Sequence, residues 1–573
     1  MKRVFTHTLF AVLVALAVGL RAAEPAARVR PDFGVVFNDD ADLAFVVPDR
    51  AQSEALLRAN VSALADTPVK TFVYCLGMGG DLLYYNTKVA SPVGWRKSPD
   101  ETPGSLMEKR MENARVCLAQ GADAVRTAGE EAKRLGLRFI PSLRMNDAHF
   151  MANPDQHAMT SEFWFKHRER YIIKDSPLVF QKAYGNLLDY THEAVRQLRY
   201  DTVVEALERN RDLVDGFELD FNRFQVFFPQ GRAEAGAPLI TALIRKVRIR
   251  LDQLAAEVKR PLHLFVRVPP SLADCRTAGL EVERWMEEGL VDLVSPAQIM
   301  TLAGDMPIAD LVALGRRTGV KVYPSLYPRT SWRLPFPSPG PNRYAGAKLT
   351  RDATLEEICG AVAGYRAAGV DGFYLFNFYN AFGSARPHDE RLYRVFRDAA
   401  RVENLAGQAK VFAVTKSYYN DGPGSYAYGK QLPAKLDAGG TLRLTLPAAA
   451  PTPSPFPVQG CEIRLGVRGL PADATVTVSF NGHGLGERAG AASTRAVTQP
   501  ITRSAPKPRD AAEVYLHFPV PVPEWVANGE NRAVVTVSGA GFTTEITDFE
   551  LRTDFQNDLE KLWLRVPTIL NPP

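Results

Sequence analysis

Between Phe33 and about Val402, short runs of apolar, β-branched and aromatic residues alternate with longer amphipathic stretches of helical period. The strand-like runs are Phe33–Phe37, Lys70–Cys75, Arg138–Leu143, Val214–Phe221, Leu262–Val268, Val291–Ser295, Lys321–Leu326 and Gly372–Phe378. Helical stretches such as Met111–Leu135, Pro238–Val258, Leu280–Glu288 and Leu355–Ala368 separate them. Eight strands with helices between them predict an α/β fold, a (β/α)8 TIM barrel over residues 33–402. No Gly-x-Gly-x-x-Gly or P-loop follows the first strand, which disfavours a doubly wound sheet. Beyond Lys410 helical periodicity stops. Short alternating runs (Gly440–Leu446, Cys461–Val467, Thr475–Phe480, Ala512–Phe518, Arg532–Val537, Phe542–Leu551) lie between Gly, Pro and Asn clusters. They predict an antiparallel β-sandwich over 410–560.

The helix-to-strand junctions echo one another: Leu213-Val-Asp-Gly-Phe217, Leu290-Val-Asp-Leu293 and Gly369-Val-Asp-Gly-Phe373. Their acids, Asp215, Asp292 and Asp371, enter strands at the end opposite a barrel's active face, so they read as turn and stability residues.

Residues 1–22 carry a basic start, an apolar run from Thr8 to Leu20 and a small-residue exit near Ala22. This is the pattern of a secretory signal peptide, and it predicts an exported, periplasmic or extracellular protein without a membrane anchor. Without that segment, 66 basic residues face 64 acidic ones, a net of +2. That balance argues against nucleic acid as a partner. The five cysteines (Cys75, Cys117, Cys275, Cys359, Cys461) are scattered and form no Cys-x-x-Cys, so buried unpaired thiols are expected. No cofactor is expected. Asp147-x-His149 is the nearest thing to a metal motif, and no His-x-His or His-Glu-x-x-His accompanies it.

The fourth strand carries the candidate chemistry. In Leu213-Val-Asp-Gly-Phe-Glu-Leu-Asp-Phe-Asn-Arg-Phe224, side chains alternate, so Glu218, Asp220 and Asn222 share one face. Charges placed there cost several kcal/mol of desolvation unless paired or used. Residues two apart on a strand have Cα atoms roughly 6.6 Å apart. Like-charge repulsion would then raise one carboxyl pKa and lower the other, leaving an acid beside a base, as glycoside hydrolysis requires. Asp220 and Glu218 are the expected catalytic pair. Neighbours on one strand flank a scissile bond poorly, so an acid from another strand is also needed. Asp39 and Asp40 after the first strand are one source, and Asp147 after the third is another.

Arg144, Asn146, Asp147 and His149 at the third strand's exit, Asn222 and Arg223 at the fourth, and Asn377 and Tyr379 at the eighth would bind sugar hydroxyls. Trp332, in the Pro-rich loop after the seventh strand, would stack on a sugar ring. The loop from about Asn146 to Asp189 is long enough to suggest function.

Leu188-Asp-Tyr-Thr-His-Glu-Ala-Val-Arg196, followed by Val214-Asp-Gly-Phe-Glu-Leu-Asp220, resembles the family 10 glycosylhydrolase-like barrel proteins of bacteria, with His192 in place of the usual proline. The strand is also similar to the Asp-Gly-Phe-Arg-x-Asp of the α-amylase family, which implies a nucleophile's role for Asp220. Glu218 stands where that family has arginine, and Leu262-His-Leu-Phe-Val-Arg-Val268 ends without its glutamate acid. Ser479-Phe-Asn-Gly-His-Gly484 and Val526–Val535 resemble galactose-binding-like jelly rolls. Together these features imply a secreted glycoside hydrolase acting on an extracellular poly- or oligosaccharide. The missing fifth-strand glutamate motivates an alternative, a non-catalytic glycan-binding protein on a degenerate barrel. A polysaccharide lyase or deacetylase is a third reading.

Overall fold

The computed structural model describes residues 30–79, 81–97, 105–147, 154–171, 187–298, 301–331, 350–378, 395–396, 405, 407–414, 431–451, 458–492, 494–495 and 513–555. The expected signal peptide (1–22) and site residues His149, Trp332 and Tyr379 lie outside these described residues.

All eight runs predicted for the first domain form parallel strands: β1 (Val35–Asp39), β2 (Val69–Cys75), β3 (Arg138–Arg144), β4 (Gly216–Asp220), β5 (His263–Val268), β6 (Leu293–Pro296), the seventh run as β7 (Lys321–Val322) and β8 (Ser325–Leu326), and β9 (Tyr374–Phe376). They make one nine-stranded curled sheet in the order β7-β6-β5-β4-β3-β2-β1-β9-β8. Its two edges, β7 and β8, are consecutive pieces of one segment. Lys321 pairs with Leu293 on one side, and Ser325 pairs with Tyr374 on the other. Pairing lapses between them, at Tyr323-Pro324, where proline has no N–H to donate, and an isolated parallel bridge from Ser325 to Ala297 follows. Tyr323 N–H reaches the Val294 carbonyl, and the Pro324 carbonyl accepts from Tyr374 N–H. The expected cylinder is thus a curled parallel sheet with a gap in its pairing.

Two helix expectations change. The Met111–Leu135 stretch forms two helices, Leu106–Ala119 and Ala124–Arg134. Gly121, at φ +80°, ends the first, and Asp123 caps the second by accepting from Arg126 N–H at 2.9 Å. The long loop after β3 contains a helix, Glu162–Tyr171. The Leu355–Ala368 helix has the predicted bounds because a capping box starts it (Thr354 with Glu357) and Gly369 stops it in the left-handed region. No described helix is long and apolar enough to cross a membrane.

The later β-rich part forms two antiparallel sheets. One contains β10 (Lys410–Ala413), β11 (Ala434–Asp437), β13 (Val458–Arg468), β16 (Thr494–Arg495), β17 (Glu513–Pro519) and β19 (Thr543–Phe555). The other contains β12 (Thr441–Ala448), β14 (Thr475–Phe480), β15 (His483–Ala489) and β18 (Gly529–Ser538). On β14, Val476, Val478 and Phe480 are buried while Thr475, Thr477 and Ser479 are half-exposed, the alternation of a strand with one covered face. The residues behind the jelly-roll resemblance tie turns together. Asn481 donates to the Trp525 carbonyl and to Asn531, whose own amide bonds Ala527 and Gly529.

From Phe33 onward the chain clusters into one compact unit. The Leu355–Ala368 helix is a main seam. A Cβ on Gly360 would lie 2.1 Å from the Val411 carbonyl oxygen, and one on Gly364 would lie 2.7 Å from that of Pro447. These two glycines, one turn apart, let β-domain backbone lie against the helix. All five cysteines are buried and unbridged, as expected.

Candidate active site

The inward face of β4 begins at Gly216, where a Cβ would sit 2.1 Å from the His263 carbonyl oxygen, so only glycine lets β5 approach. Phe217, Leu219 and Phe221 are buried in the main apolar core. Glu218, Asp220 and Asn222 alternate with them, and all three are also buried. A separate apolar cluster that includes Phe33, Val36, Val73, Ile140, Phe265 and Leu293 fills the space inside the curled sheet. Polar side chains collect toward the C-terminal ends of the strands, the end where parallel α/β sheets place their sites.

Glu218 is fully buried. Its Oε1 accepts from Ser142 Oγ at 2.7 Å and from Tyr374 OH at 2.9 Å, while Oε2 has no partner among the described residues. Burial, and then the Asp220 charge, push its carboxyl up to about 7 despite these donors and Arg267. The carboxyl is therefore partly protonated near neutrality.

One pleat higher, three strands align in register: Arg144, Asp220 and Arg267. Asp220 Oδ2 accepts from Arg267 Nη2 at 2.7 Å and Oδ1 from Asn222 N–H at 2.9 Å, so both oxygens are engaged. Arg267 in turn lies 3.8 Å from the centroid of the Phe376 ring. Arg144 turns the other way, to Asp40 Oδ2 at 2.6 Å and Asp147 Oδ2 at 2.9 Å. Asn377 donates to the same Asp40 oxygen at 2.6 Å. Burial alone would raise the Asp40 carboxyl, but Arg144, Arg223 and the Asn377 amide together hold it below its ordinary value.

The structure thus brings Glu218, Asp220, Asn222, Arg144, Asp147, Arg223 and Asn377 to one end of the sheet. Asn146 stands behind them. Its amide donates to the Leu188 and Val226 carbonyls and accepts from Leu188 N–H, which uses both of its ends. Buried Arg199 pins the neighbouring loops, pairing with Asp81 at 2.6 Å and donating to the Met145 carbonyl at 3.0 Å. No motif in the sequence marks Ser142, Tyr374 and Arg267. Their signal was faint, a polar or aromatic side chain at an inward position of an otherwise apolar strand. Burial pushes the Cys75 thiol up to about 12, so it is not a nucleophile at neutral pH. Among the described residues, no three His, Cys, Asp or Glu side chains converge as a metal would need.

The sequence matches no protein-family model and no curated protein. Among solved structures the chain is similar to a cycloisomaltooligosaccharide glucanotransferase of Paenibacillus sp., at 10% identity and a TM-score of 0.33. That alignment covers 91% of this chain and 57% of the other, so the chain spans little more than half of that protein's length. It is also similar to a maltogenic α-amylase from Thermotoga neapolitana, at 10% identity and a TM-score of 0.34, over 90% of this chain and all of that one. A family 18 N-acetylglucosaminidase from Paenibacillus barengoltzii aligns at 12% identity and a TM-score of 0.33, over 64% of this chain and 99% of its own. The three are named as enzymes of glycans. At these scores the likeness carries no argument about this chain's activity.

Proposed function

We propose that the protein is an exported glycoside hydrolase acting on an extracellular poly- or oligosaccharide, with the curled sheet serving as the barrel of its catalytic domain. One observation carries this reading. Two carboxyls on one strand face sit in different settings: Glu218 is fully buried, accepts only from hydroxyls and has its carboxyl raised to about 7, whereas Asp220 is ion-paired with Arg267. Glycosidic cleavage needs that division, a carboxyl that keeps a proton beside carboxylates that stay charged. Glu218 is the proton holder, oriented by the Ser142 and Tyr374 hydroxyls. Asp220 is the fixed negative charge, suited to stabilising an oxocarbenium-like transition state or to acting on the anomeric centre.

The test is release of reducing ends from starch, cellulose, chitin, xylan and galactomannan by the purified protein, with Glu218→Gln alongside. The variant should lose about 10²–10⁴-fold in kcat. Equal turnover by variant and wild type would remove Glu218 from the chemistry.

A second reading, glycan binding without cleavage, draws support from the Asp220 carboxylate, which is tied to Arg267 through one oxygen and to Asn222 N–H through the other. It predicts glycan affinity with no sugar released, and affinity unchanged by substituting both Glu218 and Asp220.

A further inference from the structure

The acids of the polar end differ in what their oxygens still have to offer. Each oxygen of Asp220 already accepts a bond, one from Arg267 and one from Asn222 N–H. Asp40 is different. Arg144 and Asn377 converge on its Oδ2, no group is recorded on Oδ1 among the described residues, and 10% of the side chain is open to solvent. A carboxylate gripped by two donors on one oxygen and bare on the other is fixed in orientation while keeping a lone-pair face for a ligand.

Two further facts argue against a plain counter-ion for Arg144. Arg144 already has Asp147, so Asp40 is not needed to neutralise it. Asn377, which completes the grip, holds a left-handed backbone at φ +54° directly after β9. Asparagine tolerates that conformation, and here its amide reaches Asp40 Oδ2. Position also fits. Asp40 follows β1, and β2 and β3 separate β1 from β4 in the curled sheet, so Asp40 and the β4 acids approach the mouth from different sides.

Resting on the hydrolase reading above, we infer that Asp40 is the catalytic base of this site, and that Asp220 is the buried counter-ion of Arg267. In the step, Asp40 Oδ1 takes a proton from a water molecule. The water oxygen bonds to the anomeric carbon as the glycosidic C–O bond breaks. The departing oxygen leaves with the proton that Glu218 gives up. Asp40 then returns its proton to solvent and Glu218 regains one, so the net change is addition of one water across the bond. A single displacement by water inverts the configuration at the anomeric carbon.

The experiment compares wild type, Asp40→Asn and Asp40→Ala on a panel of 4-nitrophenyl glycosides, with and without sodium azide, after thermal melts show that the variants are folded. Asp40→Asn should lower kcat about 10²–10⁴-fold with KM changed only a few-fold. Azide should restore at least tenfold of the Asp40→Ala loss by attacking the anomeric carbon itself, giving a glycosyl azide. A structural role for Asp40 would move stability or KM and would not be rescued. Turnover of Asp40→Asn within threefold of wild type, or a loss confined to KM without azide rescue, overturns Asp40 as base and leaves the hydrolase reading standing. Wild type that releases nothing from the panel or the polysaccharides overturns both.

Discussion

The two ends of the curled sheet carry the same kind of residue under opposite terms. At the end where strands begin, Asp215, Asp292 and Asp371 each accept the N–H of a residue on the preceding strand: Phe139, Leu264 and Val322, at 2.8–2.9 Å. Each also faces a cation, Lys133, Arg248 or Lys321. These acids are brackets that fasten each strand to the one before it. At the other end, among the described residues, Glu218 keeps an oxygen without a partner and a carboxyl raised to about 7, while Asp40 has no partner on Oδ1. The contrast lies in the partners: a strand N–H and a cation hold each bracket acid, whereas Glu218 accepts only from the hydroxyls of Ser142 and Tyr374. Asp220 is the informative exception, an acid at the other end that is also held by a cation and a backbone N–H.

The sharpest way to break this contrast is to neutralise one acid at each end. Asp292→Asn and Asp220→Asn should each cost about 3–5 kcal/mol, since each weakens a buried ion pair. Chemical denaturation measures this. If Asp220→Asn is as stable as wild type, Asp220 belongs with the working acids.

Next in size is the pH dependence of stability. The Glu218 carboxyl is raised in the folded state from 4.5 to about 7, so the native state binds more protons than the unfolded chain between those values. Its contribution is complete below about 4.5 and is lost as pH rises to about 7, a change of roughly 3 kcal/mol. Denaturation curves of wild type and Glu218→Gln across that window should differ by this slope. Parallel curves would mean that Glu218 ionises normally.

Asp371→Ala should cost less, about 1–2 kcal/mol, because its side chain is partly exposed and mainly the bond to Val322 N–H is lost. Smallest is Lys133→Met, expected within about 1 kcal/mol. The Lys133–Asp215 pair is partly solvated, and Asp215 keeps the Phe139 N–H. Under the proposed function, sugar release per folded molecule should be unchanged in both, which a thermal melt paired with an assay checks.

Much of the fold was legible along the chain because period-two and period-3.6 patterns are local. Even the seventh strand, broken by Pro324, showed in Lys321–Leu326. The helix break at Gly121 was legible in principle, but the apolar period ran across it. β15 escaped notice because only Leu485 is buried along it, too thin an alternation to register. At the site, the inward row Glu218-x-Asp220-x-Asn222 followed from alternation alone. That Arg267 would take Asp220 and that Arg144 would turn to Asp40 did not follow. Both depend on register between strands dozens of residues apart, which no local pattern encodes. Nor did residue type separate the clip made by Asn146 from the grip made by Asn377, since each is an asparagine just past a strand.

The paired glycines of the Leu355–Ala368 helix reach beyond their own neighbourhood. A truncated chain ending near residue 402 would leave a strip of peptide backbone uncovered along that helix, with no side chains at Gly360 and Gly364 to shield it from water or from another molecule. The terminal sheets therefore act as cladding for the front half, and a graft that swapped them for a different module would have to reproduce the same close fit, carbonyl by carbonyl, or come loose.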